Sequence, residues 1–324
     1  MTTSDWLREV RLWGRIAAQP FRPSPTAVGW MVGSGRSGTT WLASLMNADR
    51  TMREVFEPVH PLFFPKHHSG LDHPCPGPGD ADWQNWLGHV FSGRHITRRT
   101  DRDNLDRNPA SVRKLLVKDV FASGLVGAVD FPDVAKVLVM RHPLAVALSK
   151  QAHRHWHWTW SPGAFLKDEG LATGLLLPWR EALERIEQEG TELQGLIAVW
   201  AVVNRIAMCS LSPSDLPILH YEQAVRNPWK VLSQLSDHPL WSRLISANRD
   251  EVLAQSGHVS FVSRDSSTIP GDPLRWKSKA TPAMHTESDA VLDALGIGEW
   301  HTESGWPHEE AIQTWRAAQR PPLQ

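Results

Sequence analysis

The sequence predicts an α/β fold, a mostly parallel sheet flanked by helices, and three observations predict it. Short apolar runs recur at Ala27–Val32, Leu115–Val117, Ala135–Met140 and Pro217–Tyr221. Segments with helical spacing stand between them, as at 143–148, 179–190 and 193–211. The first run also passes through a Gly-rich turn straight into an apolar helix start. Strands that are apolar on both faces belong to sheets covered on both sides, which is the habit of parallel sheets.

Taken in order, residues 1–25 read as an N-terminal helical extension, with Asp5, Arg8, Glu9, Arg11 and Arg15 among apolar residues, and 26–324 as one domain. Glu54–Pro58 reads as a short strand or turn after the first helix. Residues 65–82 hold Pro65, Pro74, Pro76, Pro78, Gly70, Gly77 and Gly79, an irregular loop. Residues 98–114, rich in Arg and Asp, read as a surface connection. A helix is expected near 223–235, after the run that ends at Tyr221.

A chain of 324 residues with 41% hydrophobic content can bury a sizeable core. Its formal charge of -1 supplies no whole-protein field for nucleic acid or an acidic membrane, so neither is an expected partner. Cys75 and Cys209 are too few for a disulfide framework. No apolar stretch in the sequence approaches the ~20 residues of a membrane span, and the N-terminus lacks the apolar core of a secretory signal. The expectation is a soluble, cytoplasmic protein. Its 17 Trp and 16 His against a single Tyr offer flat faces for stacking on bases or sugars, or simply a Trp-rich core.

Residues Gly33-Ser34-Gly35-Arg36-Ser37-Gly38-Thr39-Thr40-Trp41 carry the chemistry. A strand, a Gly-rich turn and a helix start aim backbone N–H groups at one point, where they favour an anion such as phosphate. Gly33 and Gly38 are separated by four residues, nearly a Walker A loop, but Thr39 stands where an NTPase needs lysine. The cation has moved to Arg36. This is a nucleotide phosphate site without the means of ATP hydrolysis.

Ligands of open α/β sheets gather beyond the carboxyl ends of the strands. Arg36, Lys118, Arg141 and Tyr221-Glu222 stand at those ends here. Arg141 closes one run and Ser149 follows eight residues on, so both can meet one phosphate only if the chain reverses at Pro143.

Loop and pair together resemble the nucleotide site of sulfotransferases that use 3′-phosphoadenylyl sulfate (PAPS). The resemblance extends to Phe56-Glu57-Pro58, Lys118-Asp119, Tyr221-Glu222 with Asn227-Pro228, and Ser263-Arg264 followed by Trp276-Lys277. It runs from about Val28 to about Trp300. It is closer to bacterial and carbohydrate-type members than to the cytosolic phenol and steroid enzymes, whose Lys-Thr-His base segment is absent.

The resemblance implies a P-loop-like sulfotransferase fold and transfer of a sulfuryl group from PAPS to a hydroxyl, leaving PAP, with no metal required. Arg36, Ser37, Gly38, Thr39 and Thr40 would hold the 5′-phosphosulfate, and Trp41 would stack on adenine. Arg141 and Ser149 would hold the 3′-phosphate, with Arg264 closing over it. Arg36 would also neutralise the leaving oxygen, and Glu57 would take the acceptor proton, its basicity raised by a partly desolvated cleft. His60 and Lys118 are the reserve candidates. A surface Glu57 paired with Arg53 or Lys66 is the bland alternative. Tyr221-Glu222 reads as a structural brace.

The run from His153 to Trp160 places His153 and His157 at i, i+4 without the context of a metal site, and reads better as a wall of an acceptor cleft for a carbohydrate or small hydroxylated metabolite. A P-loop kinase or NTPase, with Asp119 as its metal-holding acid, and a non-catalytic nucleotide-binding protein are the competing readings.

Overall fold

Five strands run in the same direction in the computed structural model, which describes residues 3–18, 23–61, 73–77, 79–101, 113–153, 159–256 and 272–319. They are β1 (Ala27–Gly33), β2 (Met52–Phe56), β3 (Lys114–Asp119), β4 (Val134–Met140) and β5 (Ile218–His220). All pairings are parallel and the order is β2-β3-β1-β4-β5. The α/β sheet expected from the apolar runs is therefore present. Trp30, Met31 and Val32 on the central strand are 0% exposed, because helices cover both faces.

Alternation along each strand divides the core in two. Trp30, Val32, Leu115, Val117, Leu138 and Met140 face the layer containing the helix Glu192–Ser210. Met31, Leu116, Val137 and Val139 face the other, with helix α2 (Thr39–Met46) and residues from Tyr221 to Val252. Gly29 belongs to that second face. A Cβ there would come within 2.8 Å of the Trp241 ring, whose Nε1 donates to the Lys136 carbonyl at 3.1 Å.

The helix Glu192–Ser210 is apolar nearly all round, so it must be buried on all sides. By length and composition it could cross a membrane, contrary to the reading that no stretch comes close, but most of it lies inside the protein. Thr191 and Gln194 form a reciprocal capping box at its start. At its other end the buried Arg316 donates to the carbonyls of Met208, Leu211, Ser212 and Leu216 at 2.9–3.0 Å. A cation there also meets the negative end of the helix dipole.

Several boundaries differ from the sequence reading. Strand β2 ends at Phe56, so Glu57 and Pro58 lie beyond it. Tyr221 opens a helix rather than ending a strand, and the single helix expected near 223–235 is two, Tyr221–Arg226 and Pro228–Ser236. The break is chemical: Pro228 has no N–H, and the Asn227 side chain accepts from Lys230 N to cap the second helix. Helix α3 (Ala81–Phe91), capped by Asp80, begins inside the Pro-rich stretch read as loop. The N-terminal helix α1 (Thr3–Ala18) rests Leu12 and Ile16 on Ile96, and its Arg15 approaches Asp101 at 3.9 Å. Among the described tryptophans, Trp30, Trp200, Trp241 and Trp300 are fully buried, so core packing accounts for them.

The C-terminal part docks against the ends of β4 and β5 through aromatic contacts. His142 stacks on Trp276 at 4.2 Å and meets His301 edge-on at 4.6 Å. His142 and His220 are buried, as are both ring nitrogens of the half-buried His301, and desolvation holds all three below the usual histidine range, His220 at about 4 and His301 at about 3. In the unfolded chain they would titrate near 6.5. Stability from these groups is therefore complete above pH 6.5 and is lost as pH falls from there toward 4. Each contributes a slope of about 1.4 kcal/mol per pH unit within that window. Denaturant unfolding between pH 7 and 4 should show this loss, and His301→Phe should flatten the slope by about one proton. An unchanged slope would show that the cluster folds protonated.

Candidate functional site

The loop after β1 fits its place because two glycines leave room. A Cβ on Gly33 would sit 2.5 Å from the Val139 carbonyl oxygen, and one on Gly38 would sit 2.3 Å from the Tyr221 ring. Gly38 also has φ 89°, a left-handed conformation that glycine adopts without strain. Arg36 adopts φ 74° without that freedom, and Ser37 N donates to the Ser34 carbonyl at 3.1 Å to close the turn. Gly38 caps α2 with no side-chain hydrogen bond, so the first-turn N–H groups of the helix point into the loop. Ser37 is buried, and its hydroxyl has no partner among the described residues. Thr39 is buried beside it and Thr40 is half-buried.

Trp41 does not fit its expected role. Only 4% exposed, it lies within the second core and meets Tyr221 edge-on at 5.7 Å. So little of its ring is exposed that the surface for stacking on adenine is small.

The second half of the site stands beside the loop. Arg141 lies just past β4, and its Nη1 donates to the Arg36 carbonyl at 3.2 Å. Its guanidinium sits 4.3 Å from the Tyr221 ring centroid, a cation–π contact. Helix α4 (Pro143–Gln151) begins at Pro143 and returns Ser149, whose Oγ accepts from Arg36 Nε at 2.9 Å. The turn is braced by Glu222, which accepts from His142 N at 2.9 Å. The structure thus brings Arg36, Arg141 and Ser149 into one cluster. Burial and then the neighbouring Arg141 charge lower the Arg36 guanidinium to about 10. An anion placed between these two groups would relieve both effects.

Across β1 and β3 lies a different kind of charge. Glu57 continues the sheet, its N–H donating to the Lys118 carbonyl at 2.7 Å, and then turns left-handed with φ 48°. Its Oε1 accepts from Lys118 Nζ at 2.6 Å and its Oε2 from Arg99 Nη2 at 2.9 Å. Lys118 Nζ also lies 4.1 Å from the Phe56 ring centroid. Burial pushes the Glu57 carboxyl up, but Lys118 and Arg99 outweigh it, and the carboxyl is held below its ordinary value. The expectation of raised basicity is corrected: the carboxylate is ionised and doubly paired.

Nor does Glu57 pair with Arg53, which binds Asp101 at 2.8 and 2.9 Å. Lys66 lies outside the described residues. Sequence reasoning missed Arg99, since nothing in a polar stretch marks which arginine turns inward.

His60 N donates to the Glu57 carbonyl at 3.2 Å, and its ring meets Phe121 edge-on at 4.9 Å. Asp119 is fully buried, and its oxygens accept from the backbone N–H groups of Val59 and Phe121. Among the described residues, no three His, Cys, Asp or Glu side chains gather as metal ligands. Arg264, and residues 154–158 of the His- and Trp-rich run, lie outside the described residues.

No protein-family model matches the chain, and no curated protein does. Solved structures follow a similar course. The sulfotransferase domain of the Synechococcus PCC 7002 olefin synthase is 17% identical, covering 86% of this chain and 97% of that one, with TM-score 0.41. A sulfotransferase from Alicyclobacillus acidocaldarius is 16% identical, over 84% and 94%, with TM-score 0.38. Retinol dehydratase in complex with androsterone and the inactive cofactor PAP is 12% identical, over 90% and 88%, with TM-score 0.40. At such identities and TM-scores the likeness does not reach a reaction or a substrate.

Proposed function

We propose that the protein transfers a sulfuryl group from PAPS to the hydroxyl of a carbohydrate or small hydroxylated metabolite. The observation that carries this reading is the cluster of Arg36, Arg141 and Ser149 around a Gly-rich loop that has no loop lysine. Arg141 makes no ion pair among the described residues, and its buried Nε has no partner there. The unpartnered Ser37 hydroxyl and the first-turn N–H groups of α2 add donors around the same loop. Such a donor set fits a nucleotide that carries anionic groups at both its 5′ and 3′ positions.

PAPS supplies the sulfuryl group. Arg36 and the loop donors would hold its 5′ end, and Arg141 with Ser149 its 3′-phosphate. Sulfuryl transfer resembles phosphoryl transfer in its loose transition state, so charge placement dominates. Arg36 stands where the leaving oxygen gains charge. Glu57 is the acceptor for the hydroxyl proton, with Lys118 beside it to compensate charge. Because its pairing weakens it as a base, its contribution belongs at the lower end of the general-base range.

Three outcomes follow. PAP should raise the melting temperature markedly, with ADP and ATP far weaker, since only PAP presents a 3′-phosphate to Arg141. Equal shifts would overturn the reading and leave a general nucleotide binder.

Arg36→Ala should mainly lower kcat and Arg141→Ala mainly raise KM for PAPS, each by a loss on the order of 2–4 kcal/mol. Matching kinetic patterns in the two variants would contradict the division of roles.

Glu57→Gln should keep PAP affinity near wild type while slowing transfer about 10²-fold. Activity within tenfold of wild type would move the proton to His60 or Lys118, and lost PAP binding would make Glu57 purely structural.

A further inference from the structure

Asp119 is 0% exposed. Its Oδ2 accepts from Val59 N at 2.7 Å and its Oδ1 from Phe121 N at 2.8 Å. The first amide belongs to the turn leaving β2 and the second to the turn leaving β3. The first turn carries Glu57 and His60, and the second carries Phe121 and follows directly on the strand end that bears Lys118. Val59 is itself 0% exposed, two residues after Glu57, and Asp119 lies opposite Val32 in the β1–β3 register. The carboxylate thus sits where the two turns and the base of the loop meet.

Glu57 needs such support. Its φ of 48° is uncommon outside glycine and persists only where the surroundings impose it. Its side-chain bonds reach Lys118 and Arg99, and its own N–H reaches the Lys118 carbonyl. None of these holds the chain after Glu57. The His60 N–H bond to the Glu57 carbonyl closes that turn locally, and the Val59 bond ties it to β3.

We propose that Asp119 is a positioning residue: its two oxygens pin the turn leaving β2 to the turn leaving β3, and so hold Glu57 left-handed against Lys118. The consequence for turnover rests on the sulfuryl-transfer reading. Two facing N–H donors require two acceptor oxygens, and an amide side chain offers one. Among the described residues, the charged groups that act on the carboxylate are Glu57 and Lys118. Burial pushes the Asp119 carboxyl up to about 7, against the pull of the two N–H bonds and Lys118. Keeping an acid in so dry a place is costly, which suits a role that needs both oxygens.

The test is Asp119→Asn in the full chain, alone and combined with Glu57→Gln. PAP binding is read by calorimetry and turnover by PAP formed from PAPS, with water as the acceptor. Alone, the variant should bind PAP within about threefold of wild type and leave KM for PAPS unchanged, while kcat falls at least tenfold. Added to Glu57→Gln, it should cost nothing further, because it acts through Glu57. Equal losses in both backgrounds, or unchanged kcat, would overturn the proposal.

Amide hydrogen exchange gives a readout that needs no activity. Val59 and Phe121 should be strongly protected in the wild type, and at least one should exchange tenfold faster in the variant. Fast exchange of both in the wild type would also overturn the clamp, even if the variant failed to fold. Should wild type not bind PAP, the sulfuryl-transfer reading falls, and the exchange data alone decide the role of Asp119.

Discussion

Two like charges held side by side set the character of this molecule. Arg36 and Arg141 stand beyond adjacent parallel strands, and their repulsion in a half-buried place is a standing cost. The fold absorbs it with neutral groups. Arg36 gives its Nε to the Ser149 hydroxyl, Arg141 donates to the Arg36 carbonyl, and the face of Tyr221 lies against Arg141. Hydroxyl and carbonyl accept from the guanidinium groups, and the ring polarises toward one of them. The pair is thereby fixed in position yet still attractive to an anion, which is the condition for binding without reorganisation.

The other half of the carboxyl edge solves the opposite problem. Glu57 is buried, where an isolated carboxylate would be costly, and Lys118 and Arg99 offset that cost with two short charge-assisted bonds. One carboxylate is shared by two cations, and they keep it ionised. In the proposed transfer such a carboxylate would be a weak base that is always ionised, and catalysis would depend more on where charges stand than on a strongly perturbed proton affinity.

What the sequence discloses and what it hides divide along physical lines. Strands β1, β3 and β4 are legible because burial on both faces leaves apolar runs, interrupted in β4 only by Lys136. The loop was legible because Gly33 and Gly38 are demanded by close approach and by backbone conformation, both local in origin. Arg141 and Ser149 were legible as a spacing. Tertiary choices were not. Trp41 follows the loop at the start of a helix, yet the rotation of α2 turns its ring into the core. Arg99 and Asp119 find their partners, Glu57 and Val59, across 42 and 60 residues. The split of the helix at Asn227 was legible in hindsight, since an Asn-Pro pair supplies both a cap and a missing donor.

The single tyrosine shows how these parts become one site. Tyr221 opens the first helix after β5, far from the loop in sequence, yet its ring fills the space a side chain at residue 38 would need. The same ring takes the edge of Trp41 and carries the Arg141 guanidinium. Gly38 is therefore required twice over, by its own φ and by Tyr221, and the loop cannot relax without disturbing the support of Arg141. Glu222, the next residue, holds the N–H of His142, next to Arg141 on the other side. Two consecutive residues of β5's outgoing helix thus brace the loop after β1 and the turn after β4. The geometry of the two arginines is a property of three neighbouring strands, and it exists only when β1, β4 and β5 are assembled.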